Sequence, residues 1–272
     1  MSALLAIDGD SFAHRAYHAL PKTIQGARGR PAGAIVGFAN MVQRLWEAEQ
    51  PRAVVVAWDT LEVPTYRHEA LPVYQSGREF EPSILEQLRL LPEVVAAWGF
   101  LVAKGAGYEA DDFLAAAAHA WPGQVVVATS DRDAFQLVSD RVTILQPVKG
   151  VSELARIGPA EVRERYGVEP PQVPDFIALR GDSSDKIPGA PGVGPKKAAD
   201  LLRQYGTLEA ALADGRFSTI ANELRLYRRI ATMDADAPLP KLESTPPDWT
   251  TAAAAASGLG LNALATRLDG RR

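Results

Sequence analysis

Nine acidic side chains recur in this sequence in a pattern that chemistry can use. Tyr108-Glu109-Ala110-Asp111-Asp112 places three carboxylates in four positions at the opening of an alanine-rich helix. Glu109 and Asp112, three apart, fall on nearly one face, and Asp111 stands within the same turn. Asp8, Asp59, Asp131 and Asp133 each follow an apolar run, while Asp182 and Asp185 share a glycine-flanked stretch. Acids in a first helical turn favour the positive end of the helix dipole, which alone accounts for one or two of those at 109–112. The repetition at other strand ends asks for more. Two carboxylates about 4 Å apart repel by roughly 4 kcal/mol at an effective dielectric near 20. Divalent cations relieve that repulsion, and all-oxygen ligation suits Mg²⁺ or Mn²⁺, whereas zinc prefers His and Cys. Mg²⁺ takes only one or two carboxylates directly, so this crowd implies two ions, the arrangement of in-line phosphoryl displacement.

Gly192-Val193-Gly194-Pro195-Lys196-Lys197 supplies a complementary half. Glycines let backbone N–H groups approach a phosphate, and the following helix start adds its dipole. Two lysines there would attract a DNA backbone regardless of sequence. Alone, a GxG turn before a helix is more often a plain turn; beside Asp182 and Asp185 it gains weight. The net charge of -4 argues against a general nucleic-acid coat, though not against a basic face beside an acidic centre.

The elements that must position these groups are legible in outline. Continuous apolar runs at 4–7, 53–58 and 124–128 each end in acids, with further strands expected at 100–102 and 142–145. Such runs, separated by helical patterns at 34–49, 83–98 and 113–121, predict a mostly parallel sheet covered on both faces, an α/β class. In open sheets of this kind ligands bind at the carboxyl ends of the strands. Residues 26–33 read as a loop, and 64–82 as a polar insertion rich in aromatics and arginine. After a loop around Gly150 the strand pattern stops near 155. Helices follow at 159–166, 173–179, 198–205, 208–213, 220–233 and 259–268, with an extended proline-rich stretch at 238–247. The division expected is a core at 1–168 and a helical subdomain with a C-terminal tail at 169–272. The chain of 272 residues has no cysteine, which excludes disulfides and thiolate metal sites. The early Asp8 argues against a signal peptide, and no run is long enough to span a membrane. A cytoplasmic monomer is expected.

The order of motifs resembles the bacterial 5′-nuclease family, the 5′→3′ exonucleases and flap endonucleases, including the N-terminal domain of DNA polymerase I. The matching pieces are Asp8-Gly9 with Arg15-Ala16-Tyr17-His18-Ala19, Trp58-Asp59, Tyr66-Arg67-His68-Glu69, Tyr108 to Asp112, Ser130 to Asp133, Gly181 to Gly189 and Gly192 to Ala198. The resemblance implies a PIN-like core, a helical arch from about 74 to 98, and a helix–three-turn–helix DNA-binding module after 170. It assigns Asp8, Asp59, Glu109 and Asp111 mainly to one metal, and Asp131, Asp133 and Asp185 to a second. Asp112 and Asp182 would complete the acidic shell. Arg67 and Arg78 would clamp phosphate, and Arg15, His18, Tyr74, Gln75, Gly192, Gly194, Lys196 and Lys197 would contact DNA. Family members also hold K⁺ on carbonyls of the glycine hairpin. The expected substrates are DNA with 5′ flaps, nicks or free 5′ ends, and the length leaves no room for an attached polymerase domain. Three positions depart from the family pattern: Gln75 stands where the arch motif carries Lys, Lys186 where Asn is usual, and Asp10 where Asn or His is more common.

Two rival readings are distinct enough to test. Asp8-Gly9-Asp10 and Gly181-Asp182 also resemble phosphatases of the haloacid dehalogenase type, with Asp8 as nucleophile and one Mg²⁺. That leaves Glu109, Asp111, Asp112, Asp131 and Asp133 unexplained. A catalytically weak protein that only binds branched DNA draws support from Gln75.

Overall fold

The computed structural model describes residues 3–61, 63–149, 153–244 and 246–271; the loop expected around Gly150 lies outside them. Strands β1 (Leu4–Asp8), β2 (Ala53–Ala57), β3 (Leu101–Ala103), β4 (Val125–Ala128), β5 (Val142–Lys149) and β6 (Glu153–Ile157) form one sheet in the order β3-β2-β1-β4-β5-β6. β1 to β5 pair in parallel, and β6 closes the edge antiparallel to β5. The strand pattern was expected to end before β6. That strand is an edge whose residues are mostly exposed, with Ile157 fully buried, so it lacks the continuous apolar run of the others.

Alternation along β1 decides what each face holds. Leu5 and Ile7 enter a core shared with helices α1 (Gly9–Ala19) and α2 (Gly33–Glu49), through Phe12, Phe38 and Val42. Leu4 and Ala6 enter the other core. The short α3 (Tyr66–Ala70) leads by turns to α4 (Pro82–Ala97), which joins α1 and α2 on their face through Leu88, Leu91 and Val95. In the 74–98 segment expected to form an arch, α4 is the sole helix, and its apolar stripe lies on the sheet.

Beneath the opposite face runs α5 (Ala110–Ala120), followed by α6 (Pro159–Tyr166), α7 (Val173–Arg180), α8 (Pro195–Tyr205), α9 (Leu208–Ala213) and α10 (Ala221–Ala231). Phe113, Phe176, Ile177, Leu202 and Leu224 tie these helices into one core with Leu4 and Ala6. α7 and α8 enclose the glycine-rich segment 181–194. Two glycines make its base possible: Cβ atoms added to Gly181 and Gly189 would fall 2.7 Å and 2.4 Å from the facing backbone, and both residues have φ above +70°. The chain then returns to the first face. There α11 (Trp249–Gly258) and α12 (Asn262–Asp269) pack through Ala252, Leu264 and Leu268, and Trp249 meets Trp46 and Trp98 edge-on. This terminal pair therefore packs apart from α7–α10.

β1 is the point where strand order reverses, with β2 on one side and β4 on the other. A crevice outside the carboxyl ends of such a pair is the expected ligand site.

Candidate active site

Asp8 is both the last residue of β1 and the N-cap of α1. Its Oδ1 accepts from Ser11 N–H at 2.9 Å and its Oδ2 from the Thr129 hydroxyl at 2.6 Å, across the β1–β4 crevice. Gly9 lets α1 start against the indole of Trp58, because a Cβ there would stand 2.6 Å from the ring. That approach brings Asp10 to the end of β2, where its Oδ2 accepts from Asp59 N–H at 2.7 Å. Asp59 Oδ1 in turn accepts from Ala110 N–H at 2.7 Å, linking β2 to the start of α5.

Glu109 caps α5 and faces inward, accepting from the hydroxyls of Thr65 at 2.9 Å and Tyr74 at 3.0 Å. Asp131 Oδ1 accepts from Asp133 N–H at 2.8 Å. Asp182 and Asp185 arrive from the α7–α8 segment. Asp182 Oδ1 takes the Ser184 N–H and hydroxyl, and its Oδ2 takes an Arg180 donor at 3.0 Å. Asp185 Oδ1 accepts from Arg78 at 2.9 Å and from Gln75 Nε2 at 3.2 Å. Among the described residues, the Asp111 and Asp133 side chains accept no hydrogen bond.

These groups line one cavity of about 650 Å³, walled by Asp8, Asp10, Asp59, Glu109, Asp111, Asp131, Asp133, Asp182 and Asp185 together with Tyr74, Gln75 and Arg78. Burial pushes the Asp8 carboxyl up to about 7 and that of Asp185 up to about 6, with neighbouring carboxylates adding to both. Asp10, Asp111 and Asp133 lie well above the ordinary range, first through burial and then through repulsion by Asp59 on the first and Asp131 on the other two. Burial also raises Asp59, Glu109 and Asp131. So many desolvated acids around one space, facing few cations, fit hard divalent ions by charge and by donor type. Among the described residues, no three His, Asp or Glu converge as a ready-made metal-ligand group.

Two assignments need correction. Asp112 does not line the cavity. It is fully buried, and its oxygens accept from Arg67 Nη1 and Nη2 (both 2.7 Å), Asp234 N–H (2.8 Å), Glu109 N–H (3.0 Å) and the Tyr66 hydroxyl (3.2 Å). Nothing remains to offer a metal. Arg67 is 3% exposed, grips Asp112 with both terminal nitrogens and donates from Nε to the Ile230 carbonyl at 2.9 Å, so it cannot reach a phosphate. The spacing of Glu109 and Asp112 suggested a shared face. A capping box instead turns Asp112 back onto Glu109 N–H and sends the two carboxyls to different environments.

The remaining positions divide. Tyr74 is buried with its hydroxyl on Glu109, and Gln75 faces the cavity from a left-handed backbone position of φ 50°. Lys186, where Asn is usual, also has a left-handed φ of 59°, a conformation Asn adopts more readily than Lys. Gly192, Gly194, Lys196 and Lys197 form an exposed turn at the start of α8, with Lys197 Nζ 3.4 Å from the Gly192 carbonyl. Arg15 and His18 lie on α1 but do not line the cavity; His18 is exposed against Tyr17. Sequence reasoning passed over His14, one turn beyond Asp10 with its ring tilted against Phe80 at 5.0 Å, and over Arg180, directly before the Gly181-Asp182 motif. An i, i+4 scan from Asp10 along α1 would have found His14.

Comparison with known proteins gives this architecture its kin. Residues 3–167 match the 5′-3′ exonuclease N-terminal resolvase-like domain, and residues 168–250 match the 5′-3′ exonuclease C-terminal SAM fold. The chain belongs to the 5′-3′ exonuclease family. DNA polymerase I of Mycobacterium bovis is 43% identical over 212 residues, covering 76% of this chain and 23% of that protein. DNA polymerase I of Bacillus caldotenax is 39% identical over 237 residues, covering 85% and 27%. This exonuclease-family chain thus spans about a quarter of the length of those curated relatives. It shares its fold with the bacteriophage T5 flap endonuclease, solved as a pseudo-enzyme-product complex with DNA and metal ions (TM-score 0.71, 18% identity, 98% of both chains). The catalytic core of Rad2 with DNA substrate aligns at TM-score 0.62 and 14% identity over 99% of this chain and 90% of that one. Among the described residues, no helix is long and apolar enough to cross a membrane.

Proposed function

We propose that this chain is a divalent-metal-dependent 5′→3′ exonuclease and structure-specific flap endonuclease of the cytoplasm, with the nuclease lobe at 1–168 and the DNA-binding subdomain from 169. The observation that carries this reading is the cavity ringed by carboxylates beside the β1–β4 crevice, with Arg78 and Gln75 also in its lining. Asp8, Asp59, Glu109 and Asp111 would hold one Mg²⁺ or Mn²⁺, and Asp131, Asp133 and Asp185 a second, with Asp182 behind. When bound, such a pair neutralises charge on the phosphate and activates the attacking water.

The protein's own groups then position the reaction. Tyr74 and Thr65 hold Glu109 in one orientation, as Thr129 and Ser11 hold Asp8. Arg78 is partly exposed, and among the described residues its guanidinium bonds only Asp185, at 2.9 Å, so it can turn to a non-bridging phosphate oxygen. Lys196 and Lys197 would grip a duplex backbone without reading sequence. Backbone carbonyls of the glycine hairpin are the proposed place for K⁺, for which the Lys197 ammonium, 3.4 Å from the Gly192 carbonyl, would have to turn away. The phosphatase alternative leaves Glu109, Asp111, Asp131 and Asp133, which line the same cavity as Asp8, without a role.

End-labelled flap, nicked and single-stranded DNAs incubated with Mg²⁺, Mn²⁺ or EDTA test the reading. Cleavage near the 5′ end or junction with either metal, abolished by EDTA, is expected. Junction binding without metal-dependent cleavage would select the binding-only alternative, and phosphate release from small monoesters alone would select the phosphatase.

A further inference from the structure

Arg180 ends α7 at the boundary between two cavities of opposite character. On one side is the acidic cavity, where it sits beside Asp133 and Asp182. On the other is a cavity of about 560 Å³ whose charged lining is Arg165, Lys196, Arg203 and Asp200, with Arg180 itself at the border. Asp200 is already paired with Arg203 at 2.8 Å, so the second space is strongly positive.

The side chain is held in place before any ligand arrives. Its guanidinium lies 5.2 Å from the Phe176 ring centroid and 5.5 Å from that of Tyr166, and these two rings stack on each other at 5.0 Å. A guanidinium fixed on aromatic faces has little freedom left to lose on binding. It has five donors, of which one terminal nitrogen reaches Asp182 at 3.0 Å, while the buried Nε meets no acceptor among the described residues. The terminal N–H donors not spent on Asp182 are the ones left for a ligand. A counter-ion for Asp182 alone would need neither the ring cradle nor a place on the positive cavity.

We propose that Arg180 binds a backbone phosphate of the DNA strand at the point where it passes from the basic groove to the carboxylates. This rests on the nuclease reading for the identity of the strand. The ligand chemistry is a phosphodiester, which a planar fork of donors grips better than a point charge does.

The test measures binding of a 5′-flap junction by anisotropy in EDTA while the phosphates of one strand are replaced singly by neutral methylphosphonates. In the wild type, one or two adjacent replacements next to the cleavage position should weaken binding roughly tenfold, the scale of a charge-assisted hydrogen bond. In Arg180→Met that local sensitivity should vanish while sensitivity elsewhere persists. Arg180→Gln, polar and of similar length but uncharged, should lose the same local sensitivity, and it carries the test should Arg180→Met fail to melt cooperatively. Scan profiles that superimpose for wild type and variants would overturn the inference. A wild type that binds the junction but leaves it uncut with Mg²⁺ would instead overturn the nuclease reading, and the scan would still decide the role of Arg180.

Discussion

Two groups of charge lie side by side in this molecule and are built on opposite terms. Under the start of α5, Asp112 meets Arg67 in a dry pair, and every oxygen of that carboxylate has a donor. Beside it, Asp111 opens onto a cavity where carboxylates face one another and its own oxygens have none. The two residues are neighbours in sequence, so the difference comes from partners and not from location. A satisfied buried pair holds elements together: Asp112 joins α3, the cap of α5 and the chain leaving α10. A carboxylate crowded by others at a cavity wall is costly to ionise, and a bound cation would relieve that cost. The first arrangement serves architecture and the second serves binding.

The largest expected effect breaks the second group. Asp111→Ala should lower metal-dependent cleavage about a hundred- to a thousandfold, the scale of removing one electrostatic group from such a site. The metal-free variant should melt no lower than wild type, because a repelling charge is gone. Rapid turnover by this variant would remove Asp111 from the site.

Next comes the first group. Arg67→Met leaves Asp112 buried without its partner and should cost about 3–5 kcal/mol of stability, read from urea denaturation. Mg²⁺ should not restore the loss. A variant as stable as wild type would mean that Asp112 finds other compensation.

The third prediction contrasts their response to pH. In the metal-free protein Asp8 and Asp185 have folded pKa values near 7 and 6, raised above the ordinary 3.8. Their contribution is fully present below about 3.8 and is lost as pH rises through about 6 to 7. Divalent ions compete with those protons, so the rise in Tm on adding Mg²⁺ should be greater at pH 8 than at pH 5. At a hundredfold excess over Kd the stabilisation reaches about 2.7 kcal/mol. An equal rise at both pH values would show that ionised carboxylates do not set the affinity.

The smallest effect makes the open group resemble the closed one. Gln75→Lys places an ammonium beside Asp185, where an amide now donates at 3.2 Å. Single-turnover cleavage should rise about tenfold, below the usual range for a missing donor because Arg78 already serves there. Unchanged rates, beside a large loss for Arg78→Ala, would assign the whole task to Arg78.

Much of this was legible in the sequence, for physical reasons. β1, β2 and β4 are short β-branched or aliphatic runs buried on both faces, and the acids that follow them could only emerge at one sheet edge. Asp112 and Arg67 were misjudged because residue type does not tell a carboxylate that faces a cavity from one that folds back on its own helix cap. β6 was missed because an exposed edge strand carries little apolar signal. Arg180 and His14 escaped notice because each is an ordinary helix residue until the packing of α7 and α1 aims it.

The way the chain leaves α10 has a mechanical consequence. Gln136 receives the Met233 N–H at 3.0 Å and donates to the Ala231 carbonyl at 2.9 Å, and Asp234 N–H is tied to Asp112. The chain leaving α10 is thus tied to the turn after β4 and to the start of α5. The lysine turn at the start of α8 and the carboxylates at the start of α5 rest on one hydrophobic core, through Val193, Ala198 and Phe113. On the nuclease reading, the place where the duplex is gripped fixes the phosphate that is cut, and length is measured without reading a single base.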